Sequence, residues 1–275
     1  MSLEAEVSAH YAKDGLLQRI IEALNEMGVS TGSVTPEDLK SVDEFHVGGF
    51  SATTALIDQL DLKPEMKVID IGSGIGGTAR FVAGETGAHV TGVDLTPEYT
   101  ATARSLSELV GMTAVTDYQT ANALNLPFDD GSFDVALMLH VGMNIPDKAA
   151  LMAEVGRILR PNGLFAIYDI MKVGSEPISF PVPWASVGEN SFLEGLQTYR
   201  EASFQSGFAE VSSRDQTTTA LKFFADQKRR NGNAGLPAVG LHILMGNKFP
   251  AKLANMVSNI AKERIAPIEL VLRLE

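Results

Sequence analysis

The segment Val68-Ile69-Asp70-Ile71-Gly72-Ser73-Gly74-Ile75-Gly76-Gly77, followed by Val90-Thr91-Gly92-Val93-Asp94, constrains the fold of this chain most. It reads as an apolar strand ending near a carboxylate, a glycine turn opening a helix, and a second apolar strand closing on another carboxylate. A nucleoside-bearing ligand needs this layout: bare backbone to lie against, and an acidic acceptor for a ribose diol about twenty residues on. The glycines alone leave two ligand classes open. Gly72, Gly74 and Gly77 also satisfy G-x-G-x-x-G, the dinucleotide spacing that seats a pyrophosphate at a helix N-terminus. Asp70 separates the two, because a strand-tip carboxylate repels a dianionic pyrophosphate and suits a ligand with an ammonium and a sulfonium, such as S-adenosylmethionine. The plainer alternatives are that Asp70 caps the turn and that Asp94 is a helix cap before Pro97.

Around this segment, strand and helix patterns alternate. Strands are expected at 67–71, 88–93, 115–120, 132–139 and 163–171, and helices at 76–86, 97–110 and 147–159. Parallel neighbours need crossover helices, so the alternation predicts a parallel sheet. Asp129-Asp130-Gly131-Ser132 and Arg160-Pro161-Asn162-Gly163 read as turns before the fourth and fifth strands. Upstream, residues 3–27 show helical spacing, Thr35-Pro36 starts another helix, and 51–60 reads as a third. Downstream, strands are expected at 208–216 and 268–274. Between them lie helical patterns near 217–231, 236–246 and 248–264, too long an insertion for a bare loop. The spacing predicts a helical lid that packs with the N-terminal helices over the substrate entrance. The expected division is a helical cap (1–60), a cofactor-binding core (61–216), a lid insertion (217–265) and a final edge strand (266–275).

From about Asp43 to Trp184, half the chain, the sequence resembles the class I S-adenosylmethionine-dependent methyltransferases. More narrowly it resembles the small-molecule branch of ubiquinone/menaquinone C-methyltransferases, tocopherol methyltransferases and sarcosine/dimethylglycine N-methyltransferases. The resemblance rests on Asp43-Glu44-Phe45-His46-Val47-Gly48-Gly49, the glycine turn, Val93-Asp94-Leu95-Thr96, Asn122-Ala123-Leu124-Asn125-Leu126-Pro127-Phe128 and Leu159-Arg160-Pro161-Asn162-Gly163, in that order and spacing. It implies an α/β fold with a Rossmann-like sheet of seven strands, mostly parallel, the last strand antiparallel. It also implies S-adenosyl-L-methionine as cofactor and in-line methyl transfer to a small molecule.

The resemblance places Asp70, Gly72, Ser73, Gly74 and Gly76 at the methionine end of the cofactor and Asp94 on the ribose, with Leu95 and Thr96 beside the adenine. Gly77 reads equally as a packing glycine. Asn122 and Ala123 stand where relatives often carry an acid facing the adenine amine, and an amide oxygen can still accept there. His46, Gly48 and Gly49 are expected over the methionine end. His140 closes the fourth strand, and with Asn144 it is the best-placed polar candidate for catalysis. A histidine suits general-base work, though it serves equally as a hydrogen-bonding contact to the cofactor. Asp147 reads as a helix cap. Tyr11, Met143 and Trp184 are the candidate substrate contacts. Phe180, Phe192, Phe204, Phe223, Phe224, Met171 and Met245 are further candidates for an apolar pocket or ordinary core.

Composition narrows the partners. A net charge of −12 argues against nucleic acid and anionic membranes, which need basic surface. The absence of cysteine removes thiolate metal sites and a cysteine nucleophile, and no metal is expected. The start of the chain shows no basic-then-apolar signal pattern, and a cytoplasmic protein, monomer or homodimer, is expected. A nicotinamide dehydrogenase and a non-catalytic S-adenosylmethionine-binding regulator remain as alternatives. An amine and a ring or quinone-like acceptor remain comparable as substrates.

Overall fold

A computed structural model describes residues 3–12, 15–234 and 238–275. Its frame is a seven-stranded sheet in the order β3-β2-β1-β4-β5-β7-β6. The strands are β1 (Lys67–Ile71), β2 (His89–Asp94), β3 (Thr116–Thr120), β4 (Phe133–Leu139), β5 (Leu159–Lys172), β6 (Phe208–Asp215) and β7 (Ile265–Leu274). The pairings β1–β2, β1–β4, β2–β3 and β4–β5 are parallel. β7 runs antiparallel between β5 and β6, so the last strand, expected at the edge, lies inside the sheet instead and β6 forms the edge. The strand order reverses between β1 and β4, and in open α/β sheets ligands gather at such a switch point.

Helices α1 (Leu3–Tyr11), α2 (Leu16–Glu26), α3 (Pro36–Asp43) and α4 (Gly49–Ile57) precede the sheet. α5 (Gly77–Thr86), α6 (Pro97–Leu109), α7 (Lys148–Ile158) and α8 (Leu196–Gln205) alternate with its strands. α9 (Thr217–Ala234), α10 (His242–Met245) and α11 (Phe249–Ala261) separate β6 from β7. The sheet is apolar on both faces. Ile69, Ile71, Phe165 and Ile167 pack against α7 and α8, and Val68, Val90 and Leu137 pack against α4 and α5. A third cluster joins Leu16, Ile20 and Leu24 of α2 to Tyr99 of α6 and to Val239 and Leu244 of the insertion. The insertion and the N-terminal helices therefore meet, as the spacing predicted.

Three further expectations need correction. The stripe over 3–27 is two helices: Gly15 adopts φ 74° immediately before α2 and turns the chain between them. Residues 13 and 14, within that stripe, lie outside the described residues. The expected helix at 236–246 is helical only over His242–Met245, and its first two residues lie outside the described residues. β5 begins at Leu159 rather than 163. Leu159 pairs with Phe133 and Leu164 with Val135, so Arg160-Pro161-Asn162-Gly163 is accommodated as an excursion within the strand. Asn162 supplies the positive φ, 64°, which that excursion needs. The caps form as read. Asp147 accepts from Ala150 N at 2.8 Å, and Asp38 accepts from Thr35 N at 2.9 Å.

Candidate active site

The ends of β1, β2 and β4 open into a cavity of about 650 Å³, roofed by α1, α9, α10 and α11. That volume lies in the range of small-molecule sites. One wall is the glycine turn. Gly72 N and Ser73 N both donate to Val93 O, at 2.7 and 2.9 Å, Gly76 N donates to Ser73 O at 2.8 Å, and Gly74 N donates to Asp94 Oδ2 at 3.0 Å. The turn is thus tied to the end of β2. Gly74 has φ 54°, and a Cβ built there meets no atom within 4 Å, so its missing side chain leaves room in the cavity. Gly77 differs: a Cβ there would run into the backbone of Asp43, which makes it a packing glycine.

Asp94 lines the cavity at the tip of β2. Its Oδ1 accepts from Thr96 N at 2.8 Å and its Oδ2 from Gly74 N, while the N-cap of α6 is Thr96, so Asp94 ties two turns together rather than capping the helix. Each carboxylate oxygen keeps a further lone pair for a ligand hydroxyl. Asp70, expected at the cofactor, is not among the residues lining the cavity; it is 2% exposed, and its Oδ2 has no partner among the described residues. Burial, with Glu44 nearby adding to it, pushes the Asp70 carboxyl up to about 7, against the pull of His46. Ser73 Oγ and Glu44 Oε1 are also buried without partners. Leaving such groups unmet costs about 1–3 kcal/mol each, so this end of the cavity is built for a polar, cationic occupant.

Glu44 is the residue that sequence reasoning missed as a site residue. Its Oε2 lies 2.8 Å from His46 Nε2 and accepts from Thr53 Oγ1 at 2.9 Å. His46 Nε2 is also 3.0 Å from Thr53 Oγ1 and 3.3 Å from Gly49 O. The available signal was an acid two residues before the histidine of the His-x-Gly-Gly segment. Gly48 and Gly49 follow as the left-handed entry to α4 and line the cavity with His46.

His140 follows β4 with φ 56°, a strained setting for a non-glycine residue. Val47 N donates to its Nε2 at 3.3 Å, which leaves the ring proton on Nδ1, 3.1 Å from Tyr168 O. Burial first, and the neighbouring His46, push the imidazole down to about 3. In this geometry it is neutral, with both nitrogens engaged, and has no lone pair left for a substrate proton. His140→Gln is therefore expected to leave the shape of the kcat–pH profile between about pH 6 and 9 unchanged. A wild-type ionisation near 6.5 that vanishes in the variant would contradict this.

The remaining predicted residues assemble around the same space. Leu95, Thr96, Asn122 and Ala123 line it beside Asp94, and the Asn122 oxygen already accepts from Leu124 N at 2.9 Å. Asn144 donates to the Tyr11 hydroxyl at 2.9 Å, which joins the loop after β4 to α1. Met143 and Trp184 line the cavity, as do Phe223, Phe224 and Met245, and the Trp184 indole N–H donates to Ser191 Oγ at 2.9 Å. Phe204 does not belong here, since it lies 81% exposed on α8. Met171 is packed in the sheet core. Phe180 and Phe192 are not among the lining residues. The described residues hold no cluster of metal-ligating side chains, and no helix in them is long and apolar enough to cross a membrane.

A parallel sheet with one inserted antiparallel strand, a glycine turn off β1 and a carboxylate at the tip of β2 together define a class I methyltransferase architecture. Residues 69–167 match the family model described as a methyltransferase domain. Phosphoethanolamine N-methyltransferase of Triticum aestivum is 30% identical over 176 residues, 64% of this chain and 34% of that protein. The chloroplastic tocopherol O-methyltransferase of Arabidopsis thaliana is 36% identical over 110 residues, 40% of this chain and 32% of that protein. The chain thus spans about a third of the length of these two curated relatives. Phosphoethanolamine N-methyltransferase 2 of Haemonchus contortus, solved with S-adenosyl-L-methionine, superposes with a TM-score of 0.78 at 18% identity. The match covers 100% of this chain and 60% of that one.

Proposed function

We propose that this protein transfers a methyl group from S-adenosylmethionine to a small-molecule acceptor. The observation that carries this reading is the hydrogen-bonding of the glycine turn. A pyrophosphate site needs free backbone N–H groups there, yet those of Gly72, Ser73, Gly74 and Gly76 are spent on Val93, Asp94 and Ser73. What the turn leaves open instead is space at Gly74, backed by buried, unpartnered oxygens on Asp70, Glu44 and Ser73. That set fits a ligand with an ammonium and a sulfonium, and it repels a diphosphate.

When bound, the cofactor supplies an electrophilic methyl carbon, and the carbon–sulfur electron pair stays on a neutral thioether. The chain's own residues orient and enclose. Asp94 would accept the two ribose hydroxyls, and Leu95 would lie against the adenine, with Asn122 and Ala123 at its edge. Asp70 and Glu44 would balance the positive charge. His140 ties Val47 to Tyr168 and so holds the end of β4 against the His46 segment. Asn144 fixes Tyr11, and burial pushes the Tyr11 hydroxyl up, which keeps its proton on and makes it a donor. The lid residues Phe223, Phe224 and Phe249 exclude water. Alignment of this kind supplies about 7–11 kcal/mol without an acid or a base.

Incubation with radiolabelled methyl donor and a panel of amines, phenols and quinone precursors tests the proposal. Label in an acceptor is expected; donor binding without transfer to any of them would favour the regulator. A pH effect follows as well. Asp70 carries a proton below about 7 in the ligand-free protein, and a cationic ligand selects its ionised form. S-adenosylmethionine affinity should therefore rise about fivefold from pH 6 to 7, reach about tenfold by pH 8 and level off above. Calorimetry at pH 6 and 8 checks this, and the dependence should disappear in Asp70→Asn.

A further inference from the structure

We infer that the acceptor is an uncharged molecule with an extended apolar body, prenyl-like or polycyclic, and neither a phosphorylated amine nor an amino acid. This rests on the methyltransferase reading above and adds the substrate class. The cavity has two halves of different chemistry. Of its lining acids, Asp43, Glu44 and Asp94 belong to the half formed by the sheet and the His46 segment, and Glu4 is exposed on α1. The other half is walled by Met143, Trp184, Phe224, Met245, Phe249 and Met256, all less than a tenth exposed.

An anionic acceptor would need a cation in that second half. Lys40 and Arg230 are the lysine and arginine among the described lining residues, and both are exposed at its margin. Lys40 is paired with Glu37. Two buried lysines lie close by but are committed elsewhere. Lys148 Nζ donates to the carbonyls of Ile145 and Phe192, and Lys252 Nζ to that of Pro183; neither lines the cavity. A phosphate or carboxylate pushed among Trp184, Phe224 and Met256 would be desolvated with no compensating charge, which is strongly unfavourable.

A permanent cation fares little better, because the second half offers it aromatic faces and no buried carboxylate, the acid on that side being the exposed Glu4 of α1. A neutral apolar body gains from the same wall by burying surface. One oriented polar group is available for its reacting end. The Tyr11 oxygen is occupied by Asn144 Nδ2, so its O–H is directed to another acceptor. A phenol, enol or ketone oxygen on the acceptor would meet it.

Trp184 is the chain's single tryptophan, so its fluorescence reports on this half alone. The protein, with and without S-adenosylhomocysteine, is titrated with a geranylated phenol, phosphoethanolamine and sarcosine. The expected result is a saturable shift of Trp184 emission with the geranylated phenol and none with the two polar compounds at 100-fold higher concentration. Met245→Ala and Met256→Ala should each weaken the geranylated phenol about tenfold while S-adenosylhomocysteine affinity stays within twofold. Having two variants guards against one that fails to fold. Saturable binding of either polar compound, or no response to the geranylated phenol, overturns the inference. Failure of S-adenosylhomocysteine to bind instead overturns the methyltransferase reading. The titration without that ligand still reads the preference of the cavity.

Discussion

Asp94→Ala is expected to lower S-adenosylhomocysteine affinity by at least about 100-fold, the largest loss for any single side chain in this site. Hydrogen bonds to a charged acceptor contribute about 1.5–3 kcal/mol each, and the ribose diol would make two of them. The same substitution orphans Thr96 N and Gly74 N, which the carboxylate now receives at 2.8 and 3.0 Å. Some of the loss will therefore come through a loosened turn. Asp94→Asn separates the two contributions. Its amide keeps one acceptor oxygen but turns an NH₂ group toward one of those donors, so an intermediate affinity is expected. Titration calorimetry checks the series, and unaltered affinity in Asp94→Ala would remove the carboxylate from the site.

The second large effect is a contrast between two glycines three residues apart. At Gly74 an added methyl meets open cavity, and the left-handed backbone costs an alanine about 1–2 kcal/mol. Gly74→Ala should fold, melt a few degrees lower, and bind cofactor at least tenfold more weakly because the methyl occupies ligand space. At Gly77 the methyl collides with the backbone of Asp43, whose carboxylate holds the buried Arg80 at 2.6 Å. Gly77→Ala should therefore lose about 3 kcal/mol or more in stability, since overpacking and a disturbed buried ion pair act together. Thermal melts and calorimetry on both variants read this out. A stable Gly77→Ala that still binds would contradict the packing role.

Much of this was legible from residue pattern, for reasons that also mark where the pattern fails. Strands β1, β2 and β4 are short, largely apolar runs bounded by turns and caps, and each signal is local. The turn expected at Arg160–Gly163 lies instead inside β5, and nothing in the sequence says that Leu159 on its near side pairs with Phe133. That is a register fact, settled between strands. The break at Gly15 was hidden because the apolar stripe continues on both sides of it. Glu44 was overlooked because its role is made in three dimensions, by Thr53 and His46. Phe204 and Met171 show the converse limit. Apolar identity does not tell a cavity wall from an exposed helix face or from a strand buried on both sides. His140 lines the cavity, but its neutrality follows from Val47 N and Tyr168 O, which no spacing reveals.

The claim on which everything else depends is that the crevice beside Asp94 takes a thioether nucleoside and rejects a dinucleotide. Side-by-side calorimetric titration of the protein with S-adenosylhomocysteine and with NADH measures this directly. One site per chain for S-adenosylhomocysteine, lost in Asp94→Ala, with no heat from NADH, is the predicted result. Saturable NADH binding with none for S-adenosylhomocysteine would contradict it.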